Sequence, residues 1–323
     1  NYTAAKEVIE TQDPNDLRNV SRVARIYSAL GSILQQTEPE KAPATLQRSI
    51  DEFSTLVKRE PRNAIWRREL GVTHHLLAES LTRNEQYEQA LEEHKKGLKN
   101  IMEAAVQAEE IATIQESLFL SLADLGRFHQ SGGGFDLAKE YYTSAIEKGD
   151  EMVAKAGDET VDPKLLGKLA SVTHDLAETH RASGEFEAAV ATFDDAVNRW
   201  ELVEKSAPDF ARFSASDSLI NQAKAFIKLE QASRAFQSLD SADKLLEQIT
   251  NDNAPVVAAY ESSLKTFTEL IEANPEVDFG TTFQVLNRAL GEVEAMIVNA
   301  PPTLQPLIET FSKQGIALVA AML

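Results

Sequence analysis

The histidines are the side chains of this sequence best suited to bind a metal ion or transfer a proton, and four of them occur in two close pairs. His174 and His180 lie six residues apart, which on a helix is a rotation of ~600°, so their side chains diverge by ~120°. His74 and His75 are adjacent and point to different faces of a helix. Neither pair converges on one ion, so we interpret these histidines as structural and predict no metal site.

Three short motifs resemble parts of enzyme active sites, but none is complete. The run Gly132–Gly134 follows a helical pattern instead of a strand and lacks the lysine of a phosphate-binding loop. Ser183-Gly184 lacks the flanking glycine of a nucleophile elbow, and Asp194 and Asp195 project apart on a helix. The absence of cysteine excludes thiol catalysis, disulfides and thiolate metal sites. We therefore predict that the chain is not an enzyme and needs no cofactor.

The composition is that of an acidic chain that folds. Hydrophobic residues make up 43% and charged residues 26% of its 323 residues, a balance typical of folded proteins. Lysine and arginine number 32 against 51 aspartates and glutamates, so the net charge is 32 − 51 = −19. Such a charge repels nucleic acid and anionic lipid surfaces, and no apolar run reaches the ~18 residues of a membrane span. We predict neither nucleic-acid binding nor membrane insertion.

Small residues recur at a fixed spacing along the middle of the chain. In four copies, a Gly or Ala is followed 12 residues later by a second small residue and 7 residues after that by a third. The copies are Ala78, Ala90 and Gly97; Gly126, Ala138 and Ala145; Ala177, Ala189 and Ala196; and Ala223, Ala235 and Ala242. Small side chains are needed where helix backbones cross closely, and 7 residues are two turns on one helix face. The spacing therefore predicts packed helix pairs joined by tight turns.

Large residues and turn residues recur in the same register. An aromatic residue lies three positions before the second small residue in three copies, and a large residue lies four positions after it in all four. The aromatics are Tyr87, Phe135 and Phe186, with Ala232 in the fourth copy, and the large residues are His94, Tyr142, Phe193 and Leu239. Turn residues separate the helices at 83–85, 131–134, 182–185 and, less clearly, 230–231. The same helix-turn-helix unit is thus predicted four times.

This arrangement resembles the tetratricopeptide repeat over residues 62–250. Successive copies, from Ala90 to Ala138, Ala189 and Ala235, are 48, 51 and 46 residues apart, whereas the family period is ~34, so the helices should contain ~20 residues. Pro61–Leu70 is similar to the start of the long repeats appended to Ser/Thr kinases and other multidomain signalling proteins of bacteria. The resemblance implies an all-α fold, a right-handed α-solenoid of antiparallel helix pairs, that binds a protein or peptide.

Helices are also expected on both sides of the four repeats in residues 61–250. Residues 1–60 should hold a short helix or frayed tail over 1–12 and a degenerate first repeat with helices at 16–36 and 43–59. Residues 251–323 should hold helices at 255–273, 281–299 and 302–323 that cap the solenoid. The alternative for the last helix is an exposed stripe that docks onto a second copy of the chain, formed by Ile316, Leu318, Val319 and Leu323.

In the tetratricopeptide family the first helix of each pair lines a concave groove, which implies a set of partner-binding residues here. Transferred by register, they are His75, Glu79, Arg83, Arg127, Gln130, His174, Glu178, Arg181, Lys224 and Lys228. The five cations of this set would form a basic stripe suited to an acidic peptide or a free carboxylate: Arg83, Arg127, Arg181, Lys224 and Lys228. The alternative is that these are ordinary solubilising charges.

Three functions fit this sequence. We favour a non-enzymatic scaffold that binds a peptide or partner protein in the groove, and the second is a structural protein that self-assembles end to end through its terminal helices. The third is a regulatory repeat region of a larger signalling protein. Because the sequence begins at Asn1 without methionine or a signal region, both a piece of a longer chain and a mature exported protein fit it, in the bacterial cytoplasm or outside it.

Overall fold

The computed structural model describes residues 16–157, 161–249 and 254–274, and every regular element in these ranges is an α-helix. The helices are α1 (Leu17–Thr37), α2 (Ala42–Arg59), α3 (Ala64–Arg83), α4 (Tyr87–Gln107), α5 (Ala112–Ser131), α6 (Phe135–Ala156), α7 (Pro163–Ala182), α8 (Phe186–Glu204), α9 (Pro208–Lys228), α10 (Ala232–Leu246) and α11 (Ala254–Ala273). The all-α prediction is confirmed. The helices are also as long as the repeat period predicts, since all but α10 contain 18 to 22 residues.

The flanking helices are confirmed in part. Those predicted at 16–36, 43–59 and 255–273 correspond to α1, α2 and α11. The predictions for residues 1–12, 281–299 and 302–323, including the apolar stripe Ile316, Leu318, Val319 and Leu323, lie outside the described residues. They stay predictions, as do the domain boundaries at residues 60 and 250.

The chain divides into two compact units, residues 1–155 and residues 156–323, called unit 1 and unit 2 below. In unit 1, α1 pairs with α2, α3 with α4 and α5 with α6, while α2 packs on α3 and α4 on α5. In unit 2, α7 pairs with α8 and α9 with α10, α8 packs on α9, and α11 covers α9 and α10. Each unit is therefore a stack of helix pairs, as expected of an α-solenoid.

The recurring small residues lie where paired helices cross. All ten alanines of the pattern are fully buried, at 0% exposure, and Gly97 and Gly126 are also buried. A Cβ added to Gly126 would lie 2.6 Å from the ring of Tyr142, and one added to Gly97 would lie 2.7 Å from the ring of His75. Both distances are well below van der Waals contact. The prediction of helix pairing from small-residue spacing is confirmed.

Large side chains fill the space between the stacked pairs. In unit 1, Phe53 and Leu56 of α2 are fully buried and belong to one apolar cluster with residues of α1, α3 and α4. In unit 2, Phe193, Tyr260 and Phe267 are buried in a cluster that joins α8, α9, α10 and α11. Burial of each such side chain stabilises the fold by about 1.5–3 kcal/mol before the entropy cost of ordering it. The core is thus distributed along each stack.

Polar residues and proline define several helix starts. The side chains of Asp16, Asn63 and Asp162 each accept a hydrogen bond from a backbone N–H in the first turn of the helix that follows. Proline occupies the first turn of α2, α7 and α9, where it has no N–H to leave unpaired. These signals place the helices in the register that the repeat pattern requires.

The four predicted turns are confirmed and share one backbone feature. Each contains a residue with positive φ five positions before the second small residue of its repeat. These residues are Glu85 (φ 61°), Gly133 (φ 75°), Gly184 (φ 83°) and Glu230 (φ 58°). Only glycine adopts this left-handed conformation without steric cost, so two of the four turns place a glutamate where glycine is preferred.

Candidate functional site

The ten candidate residues lie on α3, α5, α7 and α9, mostly near the C-terminal ends of these helices. Four are exposed (Glu79, Arg83, Arg127 and Lys228), five are half-buried (Gln130, His174, Glu178, Arg181 and Lys224), and His75 is buried. The register therefore brings polar residues to one end of the first helices in each unit, with one clear exception.

His75 is the exception, and its predicted place on a groove is corrected. The side chain is 6% exposed, and its ring lies 5.1 Å from that of His94 on α4. His75 lies three residues before Ala78, so both residues share the helix face that packs on the second helix of the pair. The equivalent residues Ala123 and Ile220 are fully buried for the same reason.

Gln130 contacts the second helix of its own pair, and His174 contacts both its own pair and the next one. The Tyr142 hydroxyl of α6 donates a 2.8 Å hydrogen bond to Oε1 of Gln130. His174 has its Nδ1 2.9 Å from Oγ of Ser218, and its ring meets Phe193 edge-on. Both side chains therefore already have partners within their own unit, and their first contribution is to helix packing.

A small cleft in unit 1 lies between the C-terminal ends of α3 and α5. It has a volume of about 320 Å³ and is lined by Glu79, Thr82, Arg83, His94, Asp124, Arg127, Phe128 and Ser131. This unit-1 cleft brings together three of the ten candidates, Glu79, Arg83 and Arg127. His94, Asp124 and Phe128 were not among the candidates.

The charges of the unit-1 cleft are mixed. Nη1 of Arg127 donates a 2.6 Å hydrogen bond to Asp124, one turn earlier on α5. Desolvation raises the pKa of Asp124 in spite of this contact, and desolvation together with Asp124 raises the pKa of Glu79. Arg83 and Arg127 act in the opposite direction on Glu79 but do not outweigh these effects. Two desolvated carboxyls thus lie beside two arginines.

A larger cleft in unit 2 is bounded by α7, α8, α9 and α11. It has a volume of about 930 Å³ and is lined by Arg181, Ala182, Phe186, Lys224, Ile227, Lys228, Ser262, Lys265, Glu269, Glu272 and Ala273. This unit-2 cleft brings together three further candidates, Arg181, Lys224 and Lys228. Phe186, Ile227 and the alanines give it an apolar part beside the charged one.

The cations of the unit-2 cleft differ in how fully they are neutralised. Arg181 donates two hydrogen bonds, of 2.9 and 2.6 Å, to the carboxylate of Glu178, and these bonds raise its pKa. Lys224 donates a 2.9 Å bond to the neutral side-chain carbonyl of Asn221. Burial and the nearby Arg181 lower the pKa of Lys224, although Glu178 acts in the opposite direction. Glu178, Asp217 and Glu269 favour the Lys224 ammonium and Arg181 disfavours it, so burial is the main reason for the lowered pKa of Lys224.

The predicted basic stripe is divided by acidic residues. Arg127 and Arg181 each pair with a carboxylate three residues earlier on the same helix, Asp124 and Glu178. One register position holds Glu79, Arg127, Glu178 and Lys224 in successive repeats, so the sign of its charge alternates. The excess of cations is found at Lys224, Lys228 and Lys265 of the unit-2 cleft. These four residues are 48, 51 and 46 residues apart, as are the repeats themselves, so the alternation could be read from the sequence.

No group of three or more histidine, aspartate or glutamate side chains in the described part of the chain is placed to hold a metal ion. Among the described helices, none is both long and apolar enough to cross a membrane.

Comparison with known proteins identifies the fold. No family model and no curated protein matches the sequence. BtubC (BKLC) from P. vanneervenii is similar in structure, with 17% identity, a TM-score of 0.52, and coverage of 88% of this chain and 92% of that one. The Signal Transduction ATPase with Numerous Domains protein with a tetratricopeptide repeat sensor, from Pyrococcus horikoshii, has 17% identity and a TM-score of 0.61 over 96% of this chain and 41% of that one. At these identities the similarity concerns the fold, and the tetratricopeptide-like repeat fold is confirmed.

Proposed function

We propose that this chain is a non-enzymatic protein-interaction scaffold and that its unit-2 cleft binds an acidic segment of a partner protein. The observation that carries this proposal is the group of Lys224, Lys228 and Lys265 beside the apolar Phe186 and Ile227. A cleft that combines a few charged groups with apolar surface is suited to a peptide whose side chains alternate in the same way.

The charge of the unit-2 cleft supports an acidic partner. Four cations (Arg181, Lys224, Lys228 and Lys265) and two carboxylates (Glu269 and Glu272) line it, and the carboxylate of Glu178 pairs with Arg181, so the excess is 4 − 3 = +1. The chain as a whole has a net charge of −19. A local positive excess on an acidic protein attracts anionic groups to that site and repels them elsewhere.

The state of Lys224 supports a carboxylate ligand in particular. Its ammonium group is half-buried and donates a hydrogen bond to the neutral side-chain carbonyl of Asn221. A partner carboxylate would replace a neutral acceptor with a charged one, and charge-assisted bonds are about twice as strong. Arg181, by contrast, already has the carboxylate of Glu178 and gains less.

The proposal is tested with peptides selected from a displayed random library on the wild-type chain. We expect selected sequences rich in Asp and Glu beside apolar residues, and we expect K224E/K228E to weaken their binding at least tenfold, which corresponds to about 1.4 kcal/mol. The matched control is K164E/K205E, because Lys164 and Lys205 are exposed in the same unit and do not line the cleft. Equal weakening by both variants would reduce the effect to net charge, and unchanged binding by K224E/K228E would contradict the site.

A regulatory region of a larger signalling protein is the second candidate. The observation that favours it is the similarity of this chain to 41% of the Pyrococcus horikoshii signalling ATPase, whose description names a tetratricopeptide repeat sensor. The same clefts would then bind the sensed molecule. Translating the gene beyond residues 1 and 323 tests it, since an adjoining catalytic domain supports it and stop codons on both sides contradict it.

Self-assembly through residues 302–323 stays a separate prediction from the sequence. Sedimentation of the full chain and of a chain lacking these residues tests it. Concentration-dependent association that the deletion abolishes is the expected result of self-assembly, and a monomer unchanged by the deletion would exclude it.

A further inference from the structure

Two buried histidines join three helices of unit 1. Nδ1 of His75 on α3 lies 2.8 Å from Nδ1 of His94 on α4, and the two side chains are 6% and 3% exposed. Nε2 of His75 is hydrogen-bonded to Oγ of Ser121 on α5. The Cα of Gly97 lies against the His75 ring, so that an added Cβ would be 2.7 Å from it. The pair is thus tightly enclosed.

The repeat register shows which residues occupy this place in the other copies. His94 lies 19 residues after His75, and in the fourth copy Leu239 lies 19 residues after Ile220. Ile220 and Leu239 are both fully buried in one apolar cluster. The other two copies place Ala123 with Tyr142 and His174 with Phe193 here, so only the first copy has two ionisable rings in this contact.

The hydrogen bonding of the pair limits how many protons it can hold. Of two facing Nδ1 atoms, one must carry the hydrogen and donate, while the other must accept. His75 and His94 satisfy each other when both rings are neutral or when they share one extra proton. When both rings are cationic, two N–H groups and two positive charges face each other, and the contact cannot persist.

The surrounding charges do not compensate a cation at this pair. On α3 and α4, His74 Nδ1 donates a 2.6 Å hydrogen bond to Glu93, which also accepts one from Lys96. On α5, the cationic or ionisable neighbours are Arg127 and His129. Within the described residues, neither His75 nor His94 has a carboxylate oxygen at ion-pair distance.

Two further carboxyls belong to the unit-1 cleft. Glu79 and Asp124 line this cleft together with His94, and desolvation raises the pKa of both carboxyls. Because their pKa is raised, they lose charge at a higher pH than ordinary carboxyls do. They therefore titrate in the same direction as the pair but cannot hold it together.

Burial makes the neutral rings the native state. Burial, His94 and His74 lower the pKa of His75 to about 3, and burial and His129 lower the pKa of His94 to about 4, from the ordinary value of 6.5. A histidine whose pKa is lowered by burial binds a proton more readily once it is released to water. As the pH falls below 6.5, the released state therefore becomes more favourable relative to the buried one. The contact is fully favourable above that pH and weakens below it.

His94 connects this contact to the surface, because it lines the unit-1 cleft and its ring lies 5.2 Å from that of Phe128 in the same cleft. We propose that the His75–His94 contact is a pH-sensitive switch: proton uptake by the pair separates α3 from α4 and changes the shape of the unit-1 cleft. The proposal is independent of what the unit-2 cleft binds.

The experiment uses the full chain, which has no cysteine of its own. Ser131 lines the unit-1 cleft, and Ala182, 51 residues later in the same register position, lines the unit-2 cleft. An environment-sensitive dye is attached to S131C or, as the control, to A182C, and the emission is followed from about pH 7.5 to about pH 5. We expect a reversible change at S131C and none at A182C.

The variant H75I/H94L distinguishes the effect of the histidines from that of the cleft carboxyls. It replaces both histidines with the apolar residue types found at Ile220 and Leu239 and leaves the carboxyls in place. We expect it to remove most of the pH-dependent change at S131C, leaving only the part due to Glu79 and Asp124. An undiminished change in the variant would contradict the proposal, as would a constant S131C signal or an equal change at A182C.

A second measurement does not depend on the variant. The imidazole resonances of the unlabelled wild-type chain are followed by NMR over the same pH range. We expect His75 and His94 to stay neutral below pH 6.5 until the signals of α3 and α4 change together. Titration of both rings near 6.5 with no structural change would overturn the proposal.

Discussion

Glu85 and Gly133 occupy the same position in successive repeats, five residues before Ala90 and Ala138, and both have positive φ, 61° and 75°. In each case the next residue donates its N–H to a carbonyl five residues earlier, Gln86 to Leu81 at 2.9 Å and Gly134 to His129 at 2.8 Å. This is the hydrogen-bond pattern of a Schellman helix end. The backbone of the turn is therefore conserved between the repeats although the residue type is not.

Replacing Glu85 with glycine should stabilise unit 1. The left-handed conformation costs a residue with a Cβ about 1 kcal/mol relative to glycine, so E85G should raise the free energy of unfolding by about that amount. Urea denaturation followed by the fluorescence of Trp66, which lies in unit 1, measures it. G133A is the reciprocal change and should destabilise unit 1 by a similar amount. A loss of stability in E85G would show that the glutamate side chain stabilises the turn by more than its left-handed backbone conformation costs.

Adding a methyl group at Gly126 should destabilise unit 1. The new Cβ would lie 2.6 Å from the ring of Tyr142, which is itself fully buried. Overpacking of this kind costs about 1–3 kcal/mol, which exceeds the roughly 1 kcal/mol that alanine gains over glycine within a helix. The net change expected for G126A is a loss of up to about 2 kcal/mol in thermal or urea unfolding.

Gly132 provides the matched control for this experiment. A Cβ added there would meet its nearest atoms at 3.7 Å, and its φ of −87° is open to any residue. G132A should therefore leave stability unchanged within about 0.5 kcal/mol. Equal stability changes in G126A and G132A would show that the close contact of Gly126 with Tyr142 does not determine the cost of the added methyl group.

Removing the charge of Glu93 should weaken the pairing of α3 with α4 in a pH-dependent way. Burial raises the pKa of Glu93, but hydrogen bonds from His74 and Lys96 outweigh it and lower the pKa below its ordinary value of 4.5. The stabilisation is present above 4.5 and is lost as the pH falls through the lowered value. E93Q should cost about 1 kcal/mol at neutral pH, since the exposed Lys96 adds little. Urea titrations at several pH values should show the difference shrinking in acid; a constant difference would exclude the ionic contribution.

The spacing of small residues was sufficient to predict the helix pairs because close backbone crossings exclude larger side chains whatever their neighbours are. The burial of Ala138 and Ala189 follows from this single requirement. The turns were predictable for a related reason where glycine supplies the positive φ, as at Gly133 and Gly184. At Glu230 no glycine signals the turn, and only the register indicated it.

The lining of the two clefts was predicted less well, because register along one helix does not determine which neighbours approach it. His75 was placed on a groove, yet it shares a face with Ala78 and is buried against His94. Lys265 was absent from the candidates because its helix, α11, lacks the spacing of the four repeats. Helix α11 nevertheless packs on α9, and Lys265 lines the same cleft as Lys224.

The most direct test of the scaffold proposal is to locate the bound peptide on the chain. An acidic peptide obtained by selection is added, and amide hydrogen exchange is compared with and without it. The account predicts slower exchange in the C-terminal turns of α9 and α11, around Lys224 and Lys265, and no slowing in K224E/K228E. Slower exchange confined to residues outside the unit-2 cleft would contradict it.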